Sequence, residues 1–198
     1  MLPFLGAAAL ALGAIFVAEF GDKSQLLILA FATRYAARPV IMGLVIAAAT
    51  IQGVSVAIGA AVGAALPEGV VALIAGIAFL AVAAWTLFTT EDGDHQDSAA
   101  PPRGRVSDLA LAGTVAATFI VGELGDKTML ATFALAAAQG PIPTWIGSTV
   151  GEVAANLVAV AVGRQVGTRL SPRAVRVGSA GLFAVAGVVV IIAALLGG

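Results

Sequence analysis

The chain has no cysteine, which excludes disulfides and thiolate metal sites together. Histidine is almost as scarce. His95 is the single one and falls in a polar stretch, so imidazole-based zinc or copper sites cannot be built either. Any metal chemistry has to rest on oxygen. Charge is the next shortage: 11% of the 198 residues are charged against 60% hydrophobic, and a mean hydropathy of +1.05 lies far outside the balance of a soluble domain. No ionisable side chain occurs between Pro39 and Leu66, between Gly69 and Thr90, or from Val177 to the end. Each run exceeds the roughly 20 residues that cross a bilayer as helix. None alternates polar and apolar residues at period two, as the strands of a membrane barrel would, so the runs read as helices. A net charge of −1 implies neither nucleic acid nor an anionic surface as partner. The lipid bilayer is the partner that the composition does imply.

What is present is a duplication. Sliding the chain against itself gives an ungapped match at a constant offset of 104, from Val17/Val121 to Leu66/Leu170. It pairs Glu19 with Glu123, Gly21 with Gly125, Asp22 with Asp126, Lys23 with Lys127, Pro39 with Pro143 and Gly43 with Gly147. Chance alignment of Ala and Val cannot place the charged pairs. The chain therefore divides into a first three-helix repeat over residues 1–90, a polar linker over 91–107 and a second repeat over 108–198. The expected spans are 3–33, 39–66 and 69–90, then 108–138, 141–166 and 175–197. The apolar start, Met1 to Ala18, belongs to the first span rather than to a cleaved leader, because no Lys or Arg precedes it.

The expected fold class is all-α and integral to the membrane. Because three spans is an odd number, the second repeat enters from the opposite side and the two halves are inverted, a common plan for secondary transporters. All eight arginines fall on one side of this arrangement: Arg34 and Arg38, Arg103 and Arg105, and Arg164, Arg169, Arg173 and Arg176. That side is expected to be cytoplasmic, which places both termini outside the cytoplasm. The linker is acidic, but Asp97 and Arg103 stand where a calcium loop needs Gly and Glu, so it reads as a solvated connection.

The chemistry sits inside the first span of each repeat. Glu19-Phe20-Gly21-Asp22-Lys23-Ser24-Gln25 lies between two apolar runs, and Glu123-Leu124-Gly125-Asp126-Lys127-Thr128-Met129 is placed alike. An ionised group at the bilayer centre costs on the order of 2.5–3.5 kcal/mol even on a lenient scale. Three positions separate the acids of each pair, so they project from one face of a helix, and inversion can bring the two faces together. The result is a candidate cage made of Glu19, Asp22, Glu123 and Asp126, with the Ser24 and Thr128 hydroxyls beside it, all hard oxygen donors of the kind Mg²⁺, Ca²⁺ and Mn²⁺ prefer. Gly21 and Gly125 weaken the helix inside each pair, and the first span would reach ~48 Å as straight helix against a core of ~30 Å, so a kink or break is expected at the motif. Carbonyls freed there could add ligands.

A purely structural reading pairs Glu19 with Lys23 and Glu123 with Lys127 at i, i+4. It leaves Asp22 and Asp126 without partners and gives no reason for two copies. Lys23 and Lys127 then serve to tune the charge of the cage. Spans two and five add Gln52, its mate Asn156, and Glu152, whose mate is Ala48. Glu152 is either an extra ligand or a proton carrier, while Gln52 and Asn156 are further ligands or ordinary interhelical hydrogen bonders. Met129, where the first copy has Gln25, either softens the site toward Mn²⁺ or simply packs.

At the duplicated Glu-x-Gly-Asp-Lys-Ser/Thr motif the sequence resembles the bacterial manganese exporters and Golgi calcium/manganese transporters of the cation/calcium exchanger group. The resemblance covers nearly the whole chain. It implies that Glu19, Asp22, Glu123 and Asp126 bind the ion, with matching Ser24 and Thr128 positions, and it implies export across a prokaryotic inner (plasma) membrane. Four motif carboxylates and two lysines leave −2, which one divalent cation cancels. An empty anionic cage is costly, so protons are expected to compete with the ion for the same oxygens. The expected function is Mn²⁺ or Ca²⁺ efflux in exchange for H⁺, or alternatively Na⁺, with no resident cofactor and with the two halves rocking. Two rivals exist: an exporter of amino acids or other organic solutes, and an intramembrane aspartyl protease. The acidic centre disfavours the first. The second, an enzyme, lacks its Gly-x-Gly-Asp pattern at both Asp22 and Asp126.

Overall fold

A computed structural model describes residues 2–19, 22–88, 107–166 and 172–196. They form eight helices: α1 (Leu2–Glu19), α2 (Lys23–Ala32), α3 (Ala37–Ala65), α4 (Glu68–Phe88), α5 (Asp108–Glu123), α6 (Lys127–Gln139), α7 (Pro141–Val166) and α8 (Pro172–Leu196). Among the described residues there is no strand. The linker lies outside the described residues apart from Ser107, whose side chain accepts the Ala110 N–H and so caps α5. Elsewhere the breaks follow turn chemistry. Pro67 precedes α4, and Gly140, at φ +92, stops α6 before Pro141 opens α7.

Polarity is distributed inside out. Leu5, Ile58, Ile77, Val185 and Leu195 are exposed, while Glu19, Asp22, Gln52, Glu123, Asp126, Glu152 and Asn156 are buried. A soluble domain does not present such an apolar exterior, whereas hydrocarbon solvates it at no cost. Two helices, α3 and α4 from Gly69, are each long and apolar enough to cross a bilayer, and α5 with α6 makes a third candidate as a bent pair. The protein is a membrane protein.

The packing runs across the sequence halves rather than within them. α1 lies on α7, α3 on α5 and α6, and α4 on α8, while neighbours in sequence such as α3 and α4 barely touch. Two glycines make the first two of these contacts possible. A Cβ on Gly147 would stand 2.2 Å from the Ala8 carbonyl oxygen, and one on Gly43 would stand 2.6 Å from that of Ala112. Both the glycines and their contact residues are pairs at the offset of 104. So are Phe79 and Phe183, whose rings stack at 6.0 Å between centroids, joining α4 to α8. Around Phe79 and Phe183 one apolar cluster collects Ile15, Val82, Ala131 and Leu135; a second holds Ile28, Phe31, Val40, Leu44, Val115 and Phe119.

Candidate metal centre

The chain breaks at both motifs. α1 ends on Glu19 and α2 starts at Lys23, with residues 20–21 outside the described set; α5 ends on Glu123 and α6 starts at Lys127. The axes of α5 and α6 diverge by 81°. Gly125 sits at φ +80, a conformation costly to any residue with a Cβ, and its N–H is taken by the Met129 sulfur at 3.2 Å. Met129 thus secures the break. Each gap closes through one backbone bond, Asp22 N–H to the Glu19 carbonyl at 3.2 Å and Asp126 N–H to the Glu123 carbonyl at 3.1 Å.

These breaks put opposite helix ends together. Glu19 and Glu123 ride on the last residues of α1 and α5, while Asp22 and Asp126 are the N-caps of α2 and α6, both in extended backbone. An N-cap Asp ordinarily turns back to accept a first-turn amide. Neither carboxylate does so here, which leaves both directed elsewhere. The α2 and α6 N-termini contribute partial positive charge that helps hold anions at this spot.

All four acids meet. One carboxylate oxygen from each of Glu19, Asp22, Glu123 and Asp126 can be chosen so that the set lies within 4.8 Å, and all four side chains are buried. Oxygens bound about 2.4 Å from one central ion are at most ~4.8 Å apart, so the four can share a single divalent cation. Three oxygens, Glu19 Oε1, Asp22 Oδ2 and Glu123 Oε2, are buried with no hydrogen-bond partner. Buried carboxylate oxygens without donors are expensive, and a cation is the partner that would satisfy several at once.

Surrounding groups steady the cage. Ser24 donates to Glu19 Oε2 at 2.9 Å, and Thr128 is buried at the matching position of α6. Lys127 donates to Asp22 Oδ1 at 2.8 Å across 105 residues of sequence. The i, i+4 pairing with Glu123 suggested by helical spacing is therefore not the ion pair formed. The helix is interrupted between Glu123 and Lys127, so the spacing no longer sets their geometry. The side chain of Lys23 lies outside the described residues. Gln52 on α3 donates to Glu152 Oε2 on α7, and Asn156 donates to the Glu152 backbone carbonyl at 3.1 Å. The carboxylate of Glu152 is thereby tethered through one oxygen, and Oε1 has no hydrogen-bond partner. Sequence reasoning also passed over buried hydroxyls on α6 and α7, among them Thr132, Thr144 and Ser148. Spacing could have found the last two, since Thr144, Ser148, Glu152 and Asn156 recur every fourth residue.

Comparison with known proteins agrees with this geometry. The chain matches the family described as "Divalent cation/proton antiporter GDT1" twice, over residues 7–94 and 111–197. It is 30% identical over 179 residues to a Vibrio cholerae protein named "Putative manganese exporter", spanning 88% of this chain and 85% of that protein. It is 29% identical over 184 residues to the Arabidopsis thaliana protein PAM71, chloroplastic, spanning 81% of this chain and 50% of that one. No solved structure matches. With the family matched over both stretches that carry the acidic motifs, the chain belongs to the GDT1 family of divalent cation/proton antiporters, which are transporters and not enzymes.

Proposed function

We propose that the protein exports Mn²⁺ or Ca²⁺ from a bacterial cell across its inner membrane in exchange for H⁺, with the ion held by Glu19, Asp22, Glu123 and Asp126. One observation carries this: acids from two motifs 104 residues apart converge into a single buried cage of the size a divalent ion fills. The name of the Vibrio cholerae relative supports manganese. Oxygen-only ligands and the 4.8 Å span suit Ca²⁺ as well. Ser24 and Thr128 orient or join the cage, and Lys127 holds Asp22 when no metal does. Ion and protons exchange because the same oxygens accept either.

In this reading α1 with α2, and α5 with α6, are two broken spans, and with α3, α4, α7 and α8 they make six crossings in two inverted repeats. The paired contacts of Gly43 and Gly147 and the Phe79–Phe183 stack support that symmetry. Both termini then lie outside the cytoplasm, on the side away from the arginines. The sequence halves, expected to rock as two bodies, interleave here, with α1 and α2 packed on α7 and α3 packed on α5 and α6. Alternating access is better served by rocking these two mixed groups against each other.

Reconstitution into proteoliposomes with an imposed pH gradient tests the assignment. Glu19→Gln and Asp126→Asn should each lower Mn²⁺ and Ca²⁺ flux at least ~100-fold, the factor that about 2.7 kcal/mol carries. Full flux in either variant would remove these acids from the transport site.

A further inference from the structure

The two halves place opposite chemistry at matching positions along one face. On α7, Thr144, Ser148, Glu152 and Asn156 stand four residues apart, on one broad side of the helix with about 6 Å between steps. All four, and Thr132 on α6, are 0–1% exposed. At the offset of 104, the mates of Thr132, Thr144, Ser148 and Glu152 are Ile28, Val40, Leu44 and Ala48. The first three mates belong to the packed cluster that contains Phe31 and Phe119. The α7 row is polar throughout, whereas its counterpart is apolar as far as Ala48 and turns polar only at Gln52, the mate of Asn156.

Replacing Ile or Val by Thr in a packed interior is not a neutral swap, because the hydroxyl must find a partner. Here Thr132 Oγ1, Thr144 Oγ1 and Glu152 Oε1 are buried and find none in the protein. Such groups are ordinarily satisfied by internal water. A cavity of about 380 Å³, lined by Gly63, Val71, Ala72, Ala137 and Ala138, lies at the same end of the molecule. Ala137 and Ala138 occupy the last turn of α6, joined through Gly140 to Pro141 of α7.

We infer that the α7 file, with Thr132, is a hydrophilic half-channel through which water and protons reach the carboxylate cluster from the Pro141 end, while the matching path from the Arg38 end is closed by hydrocarbon. This rests on the cluster being the transport site. Hydroxyls and a carboxylate in a row can pass protons along hydrogen bonds and bound water, so the file serves the proton branch of the exchange.

The natural absence of cysteine makes the test direct. Single-cysteine variants Thr132→Cys, Thr144→Cys and Ser148→Cys, and their counterparts Ile28→Cys, Val40→Cys and Leu44→Cys, are exposed to Ag⁺ in proteoliposomes. The remaining free thiol is then counted with a maleimide dye after unfolding, and only variants that bind Mn²⁺ in detergent are scored. The file positions should react at least ~10-fold faster than their mates; equal rates, or faster reaction at the apolar positions, overturn the inference. A second measurement uses Thr144→Val with Ser148→Ala. Mn²⁺ binding in detergent should be unchanged while flux driven by a pH gradient falls at least ~10-fold, and unchanged flux overturns the inference too. Thiol reactivity is read without transport, so its failure is distinguishable from failure of the Glu19 and Asp126 assignment.

Discussion

Lys127 is the residue whose partner alters the meaning of the motif. It is 8% exposed and bonded to Asp22 of the other half, so it stands in for part of the charge a metal would bring. Removing it leaves a buried carboxylate unpaired, which costs on the order of 3–5 kcal/mol. Lys127→Gln should therefore lower the thermal midpoint of metal-free protein in detergent. Mn²⁺ should restore that midpoint, and the affinity for Mn²⁺, measured by calorimetry, should rise roughly 10-fold. A midpoint unmoved by the substitution would show that the pair does not hold the empty cage. Gln52→Leu removes the donor to Glu152 and is expected to cost about 1–3 kcal/mol, read from denaturant or thermal melts. The motif acids were legible in sequence because a charge among apolar residues is too costly to be idle. The cross-half partner of Lys127 was not, since spacing along one helix says nothing about a second segment 105 residues away. Thr132 and Thr144 were passed over for a different reason. Hydroxyls in apolar helices commonly bond back to the preceding turn, as Thr50, Ser55 and Thr86 do here, and only coordinates reveal which do not.

At the scale of elements, the acidic cluster depends on the motif-bearing segment of each repeat. Its excess length and its glycines were legible as a break, and the structure puts a break between α5 and α6 with Gly125 at φ +80. Gly125→Ala must pay about 1–2 kcal/mol for that conformation or straighten the chain and withdraw Asp126 from the cluster. The expected outcome is a lower thermal midpoint together with lost Mn²⁺ flux; an intact flux would mean that the bend is not needed to present the acid. The six expected spans are less evident one by one. The helices α1, α2, α5 and α6 have 18, 10, 16 and 13 residues, and α7 carries several buried polar groups. Short helices and inward polar groups both weaken the apolar signal of a crossing.

For the whole molecule, the decisive property is that each half is completed by the other. Gly147→Val would drive a branched side chain into the Ala8 carbonyl and should cost about 1–3 kcal/mol or more, seen as a drop in the detergent melting temperature. Residues 1–90 expressed alone should fail to give a monodisperse protein, whereas co-expression with 108–198 should recover Mn²⁺ binding. The repeat could be read from the offset, but the interleaving of the two halves could not, because self-similarity specifies a unit and not its neighbours. That interleaving also sets a timetable for biosynthesis. The helix bearing Glu19 leaves the ribosome long before α7, the element that encloses it, has been translated. Until the final third of the polypeptide arrives, the insertion machinery has to shelter a pair of acids in lipid on the nascent chain's behalf.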